Sequence, residues 1–143
     1  MNEDTLHLLS ECAAGTDMAV RSLDDVIRDT SDGPLRRRLL DSRRQHAALA
    51  EQTKQLLAHA GQEPKRAEPA ARAMSYLKTN AKLTLKPGDA TVASLISEGC
   101  SMGIESLARY CNQYPAASDE ARQIARTLIR LEDQLVQDMR PYL

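Results

Sequence analysis

The residues that could hold a metal or move a proton are few, and some of them rhyme. The segment LLSECAAG, beginning at Leu8, and the segment LISEGCSMG, beginning at Leu95, each set Ser-Glu directly after an aliphatic pair. Glutamates repeated on helices can act together as carboxylate ligands, so Glu11 and Glu98 are the first candidates, with His7 one turn before Glu11. Helical phasing argues against them. At about 100° per residue, Glu11 lies roughly 140° from the middle of its helix's apolar arc and Glu98 roughly 130° from its own. Both are expected on outer faces.

A second pair points inward. His46 falls on the centre line of the second helix near its midpoint, and Glu132 lies about 40° off the centre line of the fourth, also at mid-length. A carboxylate buried there without a partner is costly or takes up a proton. If the second and fourth helices are antiparallel neighbours, the two side chains sit at similar heights. A buried His–Glu hydrogen bond is the plainest arrangement. The chemical alternative is one metal ion or a small polar ligand held by His46 and Glu132, with Thr16 or Ser106 nearby. Cys12, Cys100 and Cys111 are odd in number and lack CxxC spacing. They read as buried free thiols in a reducing compartment, and nothing in their spacing couples one to His46.

Four long helices would position these groups. The first is expected over about Thr5–Arg28 with Asp4 as N-cap, its seam running through Leu6, Leu9, Ala13, Thr16, Val20, Leu23 and Ile27. The second, about Pro34–Ala60, repeats Leu35, Leu39, Ser42, His46, Leu49, Thr53, Leu56 and Ala60 every 3.5 residues or so, the spacing of helices packed side by side. Gly61 suits a left-handed C-terminal stop. The third, about Ala90–Tyr114, has Asp89 as cap and a seam through Val92, Leu95 or Ile96, Gly99, Gly103, Ser106 and Tyr110; its glycines are expected to admit a neighbouring helix. The fourth follows Ser118 as cap, along Ala121, Ile124, Leu128, Leu131, Leu135, Met139 and Tyr142. The stretch between the second and third helices is too long for a hairpin. It should cross the bundle's length, carry a short helix from Pro69 to about Leu83, and leave the second and third helices parallel.

Composition agrees. With 143 residues the chain is expected to be a single domain, residues 1–143, able to bury one core. The 19 basic and 20 acidic residues balance, which gives no general attraction to nucleic acid or to an anionic membrane. There is no Trp or Phe, so the aromatic platforms that stack bases are scarce. Helix formers dominate and the fold class is all-α. The N-terminus MNEDTLHLL lacks a basic or long apolar run, so a cytoplasmic location is expected. The first helix is acidic (Glu11, Asp17, Asp24, Asp25, Asp29) and the second opens on Arg36, Arg37 and Arg38, which suggests ion pairs between them.

Four helices, a crossover after the second and polar residues at mid-bundle resemble the ferritin-like superfamily. The segments LLAHAGQEP, AARAMSYLKTNAKL and LISEGCSMGIESL make the chain similar to small uncharacterised bacterial members of that group. The resemblance implies a ferritin-like four-helix bundle. It also sets a test, because di-iron members place a Glu on each of two helices and Glu-x-x-His on each of the others. Here Arg43 stands where the Glu before His46 should be, Leu135 stands where the His after Glu132 should be, and the first and third helices offer Thr16, Gly103 and Ser106 in place of inward carboxylates. A pair of hard cations needs several anionic ligands, so the di-iron site reads as degenerate and no cofactor is expected. The leading expectation is a non-enzymatic bundle, bacterial and in part stress-related by resemblance, that works by self-association or through a protein partner. The outer face of the first helix and the basic crossover (Lys65, Arg66, Arg72, Lys78, Lys82, Lys86) are its expected contact surfaces.

Overall fold

In a computed structural model of the protein, residues 1–63, 79 and 81–143 are described. They form α1 (Glu3–Ile27), α2 (Gly33–His59), α3 (Asp89–Gln113) and α4 (Asp119–Met139), with a 3₁₀ turn at Arg140–Tyr142. No strand occurs among the described residues. A short helix lies between α2 and α3, and its residues 81–85 are described, with Leu83 buried. Its expected start at Pro69, and Lys65, Arg66, Arg72 and Lys78, lie outside the described residues.

The direction of each helix follows from which core cluster it enters. One cluster joins Leu8, Leu9, Cys12 and Ala13 of α1 to Leu49 and Leu57 of α2, Leu107 of α3, and Ala121, Ile124, Ala125 and Leu128 of α4. The other joins Leu23, Val26 and Ile27 of α1 to Leu35 and Leu39 of α2, Val92, Ala93, Ile96 and Cys100 of α3, and Leu135 and Met139 of α4. Thus α1 and α4 run one way, and α2 and α3 run the other. The parallel relation of α2 and α3 is the one the long crossover predicts. Among the described residues α2 packs on α1 and α4, α3 packs on α4 and α1, and α2 and α3 occupy opposite corners. Burying each core leucine contributes about 1.5–3 kcal/mol relative to exposure.

The helix ends show where the sequence reading needs correction. Ser118 caps α4 through the Ala121 N–H as expected, and Asp32 caps α2 through the Leu35 N–H at 2.9 Å, with Pro34 in the first turn. Gly61 adopts φ 72°, while the Gln62 N–H reaches back to the Leu57 carbonyl at 2.9 Å, closing α2 as expected. Asp4 does not cap α1. Asn2 does, its Oδ1 accepting from the Thr5 N–H at 2.8 Å, and α1 starts at Glu3. Asp4 instead accepts the Ala116 N–H at 2.8 Å, while Thr5 Oγ1 accepts the Ser118 N–H at 2.9 Å. Asp89 likewise is the first residue of α3 and not its cap. Its carboxylate accepts the Ser31 and Asp32 N–H groups at 2.8 and 3.0 Å. Each aspartate therefore leaves its own helix to satisfy backbone donors in the loop joining two others, which ties both ends of the bundle.

Candidate functional site

Between the two apolar clusters each helix presents a polar or small residue. Thr16 follows Ala13 on α1, Ser42 and His46 lie between Leu39 and Leu49 on α2, Gly103 lies between Cys100 and Leu107 on α3, and Glu132 lies between Leu128 and Leu135 on α4. The result is a mid-bundle polar layer. His46 is 1% exposed and Glu132 6%, so both inward assignments hold.

The expected His46–Glu132 hydrogen bond is absent. His46 Nδ1 donates to the carbonyl of Ser42, one turn back on its own helix, at 2.8 Å, with Ser42 Oγ 3.2 Å away. Only the Nδ1–H tautomer makes that bond, because a carbonyl cannot donate. Nε2 is then a lone-pair acceptor, and it has no partner among the described residues. Burial lowers the pKa of His46 and the bond to Ser42 partly offsets it, so the ring is neutral at neutral pH.

Glu132 is held elsewhere. A Cβ built on Gly103 would lie 2.2 Å from Glu132 Oε2 and 3.0 Å from its Cδ and Oε1. The carboxyl thus occupies the space that a side chain at position 103 would fill, and the adjacent Cys100 feels its charge. Oε2 is buried without a partner among the described residues. Desolvation with no compensating cation pushes the group up to about 8, so at pH 7 it is mostly a neutral acid.

The remaining candidates supply little to the layer. Thr16 Oγ1 donates to the carbonyls of Cys12 and Ala13, both at 3.0 Å, and Ser106 is half-buried. Glu98 is exposed and paired with Lys82 at 3.2 Å. Glu11 is half-buried, and His7 on the surface stacks its ring on Tyr114 at 5.2 Å between centroids. Cys12 and Cys100 are buried, Cys111 is half-buried, and all three are free. Burial pushes Cys12 up to about 12 and Cys100 higher still, so neither is an available thiolate.

The glycines of α3 do not mark its buried face, contrary to the expected seam. Its buried stripe is Val92, Ala93, Ile96, Cys100 and Leu107, whereas Gly99 is exposed with nothing among the described residues within 4 Å of a Cβ there. Gly103 admits a neighbouring side chain, not a helix backbone. Gly103, which lies against Glu132, and Cys100, whose thiol feels that carboxyl, follow from the 96–100–103–107 spacing once Cys is counted as apolar.

The layer does not fit a pair of metal ions. Among the described residues it holds one carboxyl, desolvated toward neutrality, and no three His, Cys, Asp or Glu side chains are grouped as a ligand set. No described helix is long and apolar enough to cross a membrane.

No family profile and no curated protein matches the chain. Its fold is similar to the crystal structure of a DUF305 fragment from Deinococcus radiodurans, with a TM-score of 0.75 over 98% of this chain and 95% of that one. Sequence identity is 13%, a likeness of fold alone.

Proposed function

We propose that the chain is a ferritin-like bundle of bacterial, cytoplasmic type that has no enzymatic activity and works by association, with itself or with a protein partner. The observation that carries this reading is the state of the interior. Glu132 is the single inward carboxyl of the polar layer among the described residues, desolvated against Gly103 and mostly protonated. A buried acid of that kind offers neither the negative charge that two metals need nor a base poised beside a nucleophile. Binding therefore falls to the surface. Light scattering with crosslinking of the purified protein tests this. A stable higher-mass species, or a crosslinked partner, supports the reading; a strict monomer that captures nothing contradicts it.

A second reading has its own support: His46 Nε2 and Glu132 Oε2 are both buried and have no hydrogen-bond partner among the described residues. A protonated carboxyl can donate where a neutral imidazole nitrogen accepts, so the layer could hold one small polar molecule, or a single metal ion if Glu132 ionises. Elemental analysis and intact mass under native conditions test it. Stoichiometric iron, manganese or zinc that disappears in His46→Ala would favour this reading over the first.

A further inference from the structure

The outer surface at the start of α2 differs from the rest of a chain whose charges balance. Residues 33–44 include Arg36, Arg37, Arg38, Arg43 and Arg44 against a single acid, Asp41. Three of the arginines are engaged: Arg38 with Asp138 at 3.1 Å, Arg43 with Asp24, and Arg44 with Asp41. Arg36 and Arg37 are exposed and have no carboxylate partner among the described residues. Among them stands Leu40, 44% exposed on a helix that buries Leu35, Leu39, Leu49 and Leu57. Pro34, Arg37, Arg38, Leu40, Asp41 and Arg44 line a shallow, open concavity of about 520 Å³.

An aliphatic side chain among guanidinium groups selects its occupant by charge and by shape. Symmetric contact with a second copy would set arginines against arginines, which is repulsive. A nucleic acid would use the arginines but gain nothing from Leu40, and no aromatic among the described residues lines the concavity to stack a base. A peptide with carboxylates flanking an apolar residue uses both, since guanidinium forks match carboxylates and apolar contact excludes water between them.

We propose that this face of α2 docks an acidic, amphipathic peptide segment of a partner protein, with Leu40 as the apolar contact and Arg36 and Arg37 as the carboxylate-binding pair. The proposal rests on the reading that the protein works by association, and it names the surface and the partner's chemistry. It is tested by fluorescence anisotropy of a short labelled helical peptide carrying Leu flanked by Glu, titrated with the full chain. Saturable binding is expected, weakening with salt, and falling by roughly tenfold when Arg36→Glu and Arg37→Glu are combined. Leu40→Ser should weaken it as well. All three side chains are exposed, so circular dichroism of the variants should match the parent. Absence of saturable binding, or binding indifferent to these substitutions, overturns the proposal. So does tighter binding of an RNA oligonucleotide of equal charge that ignores Leu40→Ser. If the peptide fails while the protein still forms a higher-mass or crosslinked species, the docking surface is wrong and the association reading stands. If the protein is also a strict monomer without partners, both are wrong.

Discussion

Gly103 of α3 and Glu132 of α4 share one space: a Cβ on the glycine would sit 2.2 Å from the carboxyl oxygen Oε2. The missing side chain on one helix is what lets the other keep a carboxyl inside. Gly103→Ala gains about 1 kcal/mol of helix propensity but forces Glu132 to move within a packed layer, which costs about 1–3 kcal/mol. The single variant should be net destabilised or close to neutral in denaturant melts. In a Glu132→Ala background the clash is gone, and the same change should become stabilising. A double-mutant cycle reads the coupling, expected at about 1–3 kcal/mol; additive effects would separate the two residues.

Stability should depend on pH through the two buried groups, with opposite signs. Glu132 has an ordinary pKa of 4.5 in the unfolded chain and about 8 when folded. Between those values the native state keeps a proton that the unfolded state has lost, so stability falls as pH rises, by up to about 1.4 kcal/mol per unit. His46 is lowered from 6.5. Below that value the unfolded chain takes up a proton that the native ring refuses, so stability falls as pH drops. The slopes oppose one another below pH 6.5, and Glu132 alone acts between 6.5 and about 8. Thermal melts should show a Tm that is nearly level around pH 6 and declines toward pH 8. Glu132→Gln, an isostere of the protonated acid, should abolish the decline and raise stability at pH 8 by about 2–4 kcal/mol. A Tm that climbs from pH 6.5 to 8 would mean a native carboxylate with a cation beside it.

Gly99 offers the contrasting case on the same helix. A Cβ there meets nothing within 4 Å among the described residues, so Gly99→Ala should stabilise the protein by about 0.5–1 kcal/mol through helix propensity alone. Loss of stability would show that this face is covered in solution.

Asp89 joins the start of α3 to the loop between α1 and α2 through the Ser31 and Asp32 N–H groups. Asp89→Ala removes two charge-assisted bonds and should cost about 1–3 kcal/mol. Asp89→Asn retains one acceptor oxygen and should cost less. Hydrogen exchange at Ser31 and Asp32 should quicken in the alanine variant.

Much of the fold was legible because burial follows a regular period. On α2 every seam position through Thr53 is buried, and only the last turn drifts, with Leu57 replacing Leu56. The long crossover implied the parallel α2 and α3. The inward positions of His46 and Glu132 were legible for the same reason. Their partners were not, because periodicity gives direction but not rotamer: His46 turns back to the Ser42 carbonyl, and Glu132 turns to α3. Caps misled where an aspartate had a choice of donors. Asp4 and Asp89 each sit where a helix begins, yet each satisfies N–H groups from a loop distant in sequence, a preference no local pattern records.

The most direct measurement is native mass spectrometry of the purified, untreated protein. The account predicts species built from 15.8 kDa chains, associated with one another or with a protein partner and carrying no metal. A monomer that carries two metal ions per chain would contradict it, because the polar layer around Glu132 would then have to hold the negative charge of an ionised ligand set.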